Sequence, residues 1–127
     1  MPNTVDINIY SDPNSTAPTL PLRGIPWYAG MTALQAMIIG EAMYSSNFSF
    51  RVVYKSIYGA FIDSIDGVTD QGNFYWMLKI DNKDPGVGAS EAIIPEDASK
   101  TTALVEWRYV DVTATASKQA KLKSQPL

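Results

Sequence analysis

Residues 31–46 read MTALQAMIIGEAMYSS and carry the helical pattern around which the rest of the chain is arranged. Thr32 and Gln35 have the spacing of a capping box, in which the Thr hydroxyl accepts from a first-turn amide and the Gln side chain reaches back. A helix from about Thr32 to Tyr44 is predicted. Apolar residues cover most of its circumference, so it is either wrapped by a curved sheet or has an outer strip that meets a second subunit or a ligand.

Strand patterns precede this helix. Val5, Ile7 and Ile9 alternate with polar residues, the period of a strand with one buried face. The segment TLPLRGIPWYAG that follows contains Pro21 and Pro26, which cannot donate to a strand ladder. We therefore expect a first strand inside a sheet and a second, irregular strand at its edge.

Further strand patterns follow the helix. They are an alternating run over 48–55, the run GAFIDSIDGV closed by the turn dipeptide Asp66-Gly67, the run FYWMLKI, and TALVEWRYVDV. One helix among several strands predicts an α+β, β-grasp-like fold, with the helix packed on a mainly antiparallel mixed sheet. Residues 1–112 form this domain, and residues 113–127 a polar, basic tail that we expect to be flexible. The predicted core around the helix comprises Leu34, Ile38, Val52, Ile65, Leu78 and Val105.

Composition narrows the classes of function. A formal charge of −3 and a pI of about 4.7 argue against a nucleic-acid partner, which needs clustered Lys and Arg. The chain has no Cys and no His, so disulfides are impossible and the commonest zinc ligand and general base are both missing. The sequence contains no run of about 18 apolar residues, so membrane insertion is not predicted.

An enzyme stays open as an alternative. In the absence of His and Cys, it would use Asp63 or Glu106 as a base in an apolar pocket, where desolvation raises a carboxyl pKa. Tyr58, Tyr75 and Tyr109 would then position or protonate the substrate. The acids Asp63, Asp66 and Asp70 lack the alternate-residue spacing of a calcium loop, and we assign no metal.

Five short motifs carry a resemblance to a known family. In chain order they are Thr32-Ala33-Leu34, Ser64-Ile65-Asp66-Gly67-Val68, Tyr75-Trp76-Met77, Val87-Gly88-Ala89-Ser90 and Glu106-Trp107-Arg108-Tyr109. Over residues 5–112 the chain resembles the transcobalamin C-terminal-like domain family. That family includes bacterial domains of unknown function and the smaller domain of the vitamin B12 carriers transcobalamin and intrinsic factor.

The resemblance implies a ligand and a location. In the vitamin carriers the stretch equivalent to Val87-Gly88-Ala89-Ser90 lies near the ligand, which implies a cobalamin-like ligand here and no other cofactor. Bacterial members are often secreted or surface-attached, so the resemblance implies an extracellular or cell-surface location. A hairpin turn is expected at Asp81-Asn82, because Asn tolerates positive φ.

The predicted ligand site joins the aromatic strand to the glycine-containing loop. On a strand, Trp76 points to one face while Tyr75 and Met77 point to the other, so the strand serves a core and a second surface at once. Small side chains in the loop allow its backbone to approach another molecule. Trp76 is alternatively a core residue, and the loop alternatively a tight turn. The predicted ligand-binding residues are Tyr75, Trp76, Met77, Val87, Gly88, Ala89 and Ser90.

Three functions remain open at this point. The first is a non-catalytic binding module for a small apolar or corrinoid-like ligand. The second is a surface or protein–protein interaction module, with a protein partner or a second copy of the chain. The third is a small enzyme that uses Asp or Glu with Tyr. Neither nucleic acid nor membrane insertion is expected in any of them.

Overall fold

A computed structural model of the chain describes residues 2–12, 14–44, 48–54, 59–97 and 99–111. The predicted tail, residues 113–127, lies outside these residues. The described part contains seven strands and one helix. They are β1 Thr4–Tyr10, β2 Leu20–Pro26, α1 Ala33–Met43, β3 Phe50–Tyr54, β4 Ala60–Ile65, β5 Val68–Thr69, β6 Phe74–Ile80 and β7 Thr102–Asp111.

The main sheet has the strand order β2-β1-β7-β6. Strands β1 and β7 run parallel, with Thr4 opposite Thr102 and Ile9 opposite Trp107, whereas the other two pairings are antiparallel. Strand β2 lies at one edge, as its two prolines predict. With one helix and one parallel pairing in a mainly antiparallel sheet, the predicted α+β, β-grasp-like architecture is confirmed.

A second, smaller sheet has the order β3-β4-β5, with both pairings antiparallel. Strands β4 and β5 are joined at the predicted turn, where Asp66 has φ 50° and Gly67 has φ 83°. Asp81 and Asn82, with φ 49° and 67°, form the other predicted two-residue turn. Two successive residues with positive φ are the mark of a type I′ turn, so the Asp, Asn and Gly residues at these positions fit the turn geometry.

The capping box fixes where α1 begins. The Gln35 N–H donates to Thr32 Oγ1 over 3.2 Å, and the Thr32 N–H donates to Gln35 Oε1 over 2.9 Å. The predicted helix start is confirmed. Gly40 brings the helix close to the main sheet, because a Cβ at this position would lie 3.2 Å from Ile25 Cδ1. No helix in the described ranges is long and apolar enough to cross a membrane.

One apolar core is shared by α1 and both sheets. It includes Ile7, Ile9, Leu22, Ile25, Met31, Met37, Ile62, Ile65, Trp76 and Val105. Of the six predicted core residues, Ile65, Leu78 and Val105 are buried, and Leu34 and Val52 are half-buried. The prediction is wrong for Ile38, because its side chain is 51% exposed. The helix buries Ala33, Ala36, Met37 and Gly40, and Ile38 lies on the opposite side.

Candidate functional site

A cleft runs beside β6, between this strand and the loop of residues 84–89. Its cavity volume is about 30 Å³, and the empty space reaches about 350 Å³ only when the open solvent at its mouth is counted. Its walls are mostly apolar, with one carboxylate. They are formed by Phe61, Trp76, Met77, Leu78, Asp84, Pro85, Val87, Gly88, Ala89 and Trp107. Five of the seven predicted site residues, namely Trp76, Met77, Val87, Gly88 and Ala89, are therefore brought together here.

Strand β6 supplies one wall because it is an edge strand of the main sheet. Successive side chains of a strand alternate between its faces, so Trp76 and Leu78 point toward the core and Met77 toward the outer face. All three line the cleft. An edge strand has no neighbouring strand on one side, which lets residues of both faces border the same space.

Trp76 forms a rigid part of this wall. Its Nε1–H donates to the Val68 carbonyl over 2.7 Å, and its backbone N–H donates to Asp70 Oδ1 over 3.0 Å. Its ring packs on Tyr109, with the ring centroids 5.1 Å apart. Burial raises the pKa of Tyr109, as does the charge of Asp70. Trp76 is thus a buried core residue that also borders the cleft.

Backbone hydrogen bonds hold the loop that forms the other wall. The Ala89 N–H donates to the Ala60 carbonyl over 2.6 Å, and the Ala89 carbonyl accepts from the Leu34 N–H over 3.0 Å. Ala89 therefore attaches the loop both to β4 and to the start of α1. The position of this wall depends on how these two elements are placed.

Ser90 and Tyr75 do not line the cleft. Ser90 Oγ accepts the Ala60 N–H over 2.8 Å, so its hydroxyl oxygen fastens the loop to β4. Tyr75 is half-buried on the outer face of β6, opposite Val110 of β7. The structure brings neither residue to the space bordered by the other five.

Five lining residues are absent from the predicted site: Phe61, Leu78, Asp84, Pro85 and Trp107. Trp107 is opposite Leu78 in the pairing of β6 with β7. Its side chain is 2% exposed, and its Nε1 has no hydrogen-bond partner among the described residues. A buried indole normally finds an acceptor. Trp107 is thus a lining residue whose indole N–H has no partner among the described residues.

Asp84 is the one charged residue among those that line the cleft. Its Oδ1 accepts the Gly86 N–H over 2.8 Å, which holds the carboxylate against the turn that follows it. Within the described ranges, no group of three or more Asp and Glu side chains lies close enough together to hold a metal ion. The cleft is thus an apolar space with a single acidic group at its wall.

The acids considered as catalytic bases lie outside the cleft lining. Asp63 makes two hydrogen bonds with Arg51, of 3.0 Å and 2.9 Å. Glu106 accepts from Arg108 Nε over 3.3 Å. Both carboxylates thus have cationic partners rather than apolar surroundings. Tyr58, one of the three tyrosines of the enzyme hypothesis, lies outside the described residues.

Comparison with solved structures relates the fold to a vitamin carrier. Haptocorrin in complex with Cbi superposes with a TM-score of 0.62 and 20% identity, over 84% of this chain and 25% of the haptocorrin chain. The present chain thus spans a quarter of the length of that protein. The resemblance to the vitamin B12 carriers that the motifs predict is confirmed at the level of the fold.

A second solved structure is a protein from Ruminococcus gnavus ATCC 29149, described provisionally as metal binding. It is 13% identical, with a TM-score of 0.48, over 84% of this chain and 96% of that one. Curated protein sequences give no match. The family model of a domain of unknown function, DUF4430, matches residues 30–108, which is more than half of the 127 residues. The chain belongs to this family, the DUF4430 domains.

Proposed function

We propose that the chain is a non-catalytic binding domain whose cleft takes a small, flat and largely apolar ligand, with a corrinoid-like compound as the first candidate. One observation carries the proposal: five residues from two separate motifs, Trp76, Met77, Val87, Gly88 and Ala89, line one cleft. Such a cleft, mostly apolar with a few polar groups, is the usual form of a small-molecule site. Because it is open on one side, it covers only part of a ligand.

The likeness to haptocorrin supports the choice of the first ligand to test. The haptocorrin structure was solved in complex with Cbi, and this chain shares the fold of a quarter of the haptocorrin chain. Trp107 adds a requirement, because a ligand that places an acceptor near Nε1 would satisfy a buried donor. The ligand we propose is therefore apolar over most of its surface and carries at least one acceptor.

The test is a titration with two ligands. Protein purified from its own source is first examined by native mass spectrometry for a retained small molecule, and that molecule and cobalamin are then titrated against the chain. Val87→Arg, which places a long charged side chain at a half-buried wall position, should weaken binding by about tenfold or more, or roughly 1.4 kcal/mol. Gly88→Val should act in the same direction by blocking close approach of the backbone.

Two further variants make the test specific. Tyr54→Ala changes a side chain that is outside the cleft and largely exposed, so affinity should stay unchanged. Tyr75→Ala separates the observed cleft from the wider predicted site, and it should also leave affinity unchanged. Saturable binding that Val87→Arg does not weaken, or the absence of binding by both ligands, would contradict the proposal.

A second candidate function is protein–protein contact through α1. Ile38, which is 51% exposed, lies on the side of the helix opposite its buried residues. Ala42 is exposed as well, and Leu34 is half-buried. A contiguous apolar strip of this kind is typical of an interaction surface. This surface does not overlap the cleft lining, so the two functions are compatible.

A further inference from the structure

The backbone of β6 has a free edge that faces away from β7. In an antiparallel pair, alternate residues direct their N–H and C=O groups toward the partner strand and away from it. The N–H of Trp76 bonds to Asp70 Oδ1, and Ile80 exchanges two hydrogen bonds with Lys83, of 2.9 Å and 3.0 Å. Both partners lie outside β7. The even-numbered residues of β6 therefore point their backbone groups toward the free edge.

This edge is closed at both ends and open in the middle. Phe74 is paired with Gln71, and Ile80 with Lys83. Between them, the C=O of Trp76 and both backbone groups of Leu78 have no partner in the described part of the chain. Buried backbone groups are nearly always hydrogen-bonded, and Leu78 is only 7% exposed. Three unpaired groups in succession therefore call for an explanation.

The unpaired groups border the cleft. Trp76 and Leu78 both line it, and on the opposite wall the N–H groups of Val87 and Gly88 also lack a partner among the described residues. The space is thus bounded by unpaired backbone groups on two sides and by apolar side chains such as Phe61 and Met77. A ligand that fits must offer hydrogen-bond donors and acceptors at the spacing of a peptide backbone. An extended peptide has this property.

We propose that the free edge of β6 binds an extended peptide by strand addition, over about three residues, within the cleft. In a parallel arrangement, one peptide residue accepts from the Leu78 N–H and donates to the Trp76 C=O, and the residue two positions later donates to the Leu78 C=O. All three groups are then satisfied. The Trp76 N–H, which is already bonded to Asp70, needs no partner from the peptide.

The closed ends set the length and the chemistry of this peptide. A longer strand cannot pair, because Gln71 and Lys83 occupy the edge on either side. The apolar walls favour small or apolar side chains in the paired stretch, such as Ala, Val and Leu. This inference uses the cleft of the proposed function but not its ligand, and it implies that peptide and small molecule compete.

The test uses a pool of capped pentapeptides, randomised at the three central positions among Ala, Val, Leu, Thr and Ser. Binders are selected on the full chain, and hydrogen exchange of the Leu78 amide is followed by NMR. At saturation the exchange should slow by about tenfold or more, since the amide gains an acceptor. Methylation of the two donating peptide nitrogens should weaken binding by about tenfold or more. Val87→Arg should also lose the peptide, and Tyr54→Ala should keep it.

The failure of this inference is distinct from that of the proposed function. A pool without a saturable binder overturns strand addition, as does a binder that leaves the Leu78 amide unprotected or tolerates methylation. If cobalamin or a retained molecule still binds and Val87→Arg weakens it, the small-ligand proposal stands alone. If peptides bind with the expected protection and neither small molecule does, only strand addition stands.

Discussion

Met37 and Ile38 are adjacent apolar residues of α1, yet one is fully buried and the other is 51% exposed. Successive residues of an α-helix are about 100° apart around the axis, so two neighbours need not face the same surface. Met37 packs in the core between the sheets, whereas Ile38 faces outward. Similar hydrophobicity therefore does not give these two side chains similar energetic roles.

This difference predicts a matched pair of stability changes. Met37→Ala leaves a cavity in the core and should lower the free energy of unfolding by about 2–5 kcal/mol. Ile38→Ala removes a half-exposed side chain and should cost below about 1 kcal/mol. Urea denaturation of both variants, with the wild type alongside, measures the two changes. Equal losses would mean that the outer side of α1 is covered in the folded protein.

The loop after β6 is held by elements that are distant in sequence, and Gly59 shows how closely they approach. Gly59 has φ 82°, and a Cβ at this position would lie 2.5 Å from Ser90 Oγ and 2.8 Å from Glu91 Cγ. Real Cβ atoms essentially never come so close to another atom. The start of β4 and the loop thus fit together only because residue 59 has no side chain.

Gly59→Ala should therefore lower the free energy of unfolding more than a substitution that introduces backbone strain alone. Gly67→Ala is the control, because Gly67 has φ 83° and no atom within 4 Å of the added Cβ. We expect about 1 kcal/mol for Gly67→Ala and at least about 1 kcal/mol more for Gly59→Ala, measured by chemical denaturation. Cleft affinity should fall only in Gly59→Ala. Equal costs would show that the loop yields freely.

Local patterns account for what the sequence predicts correctly. The capping box of Thr32 and Gln35, the alternation in β1 and the turns at Asp66-Gly67 and Asp81-Asn82 each depend on residues within a few positions of one another. Five of the residues that line the cleft also belong to the predicted site, because they lie in two short motifs. Ile38 was assigned to the core because a helix that is apolar all round does not indicate which side is buried.

Other parts of the site depend on tertiary contacts that no local pattern reports. Phe61 and Trp107 reach the cleft from β4 and β7, and both read in the sequence as ordinary core residues. Ser90 directly follows Gly88 and Ala89, which line the cleft. Its hydroxyl oxygen nevertheless accepts from the N–H of Ala60, which is 30 positions earlier. Such placements follow from how β4, α1 and the loop meet.

At the scale of the whole molecule, the cleft and the outer strip of α1 are separate surfaces. The strip contains Ile38 and Ala42, and neither of these residues lines the cleft. One surface is a concave space beside an edge strand, and the other is a convex helix face. A chain with both has room for a ligand and a protein partner at the same time.

The strip predicts self-association if its partner is a second copy of the chain. Sedimentation of the full chain should then show a concentration-dependent dimer, and Ile38→Asp should shift it to monomer because a charge is buried at the interface. Lys79→Ala, at an exposed position on β6, serves as the control and should leave the dimer intact. A wild type that is monomeric at all concentrations would leave only a different protein as the partner of α1.

The parallel pairing of β1 with β7 has a consequence for biosynthesis. Thr4 pairs with Thr102, so the two central strands of the main sheet come from segments made about a hundred residues apart. While a ribosome is still translating β6, β1 can pair only with β2, and β6 has no partner strand in the main sheet. Contacts between such distant segments slow folding, because a long stretch of chain must be ordered first. The sheet is therefore completed late in translation, and a chain stalled before β7 leaves one edge of β1 and the whole of β6 without a partner strand.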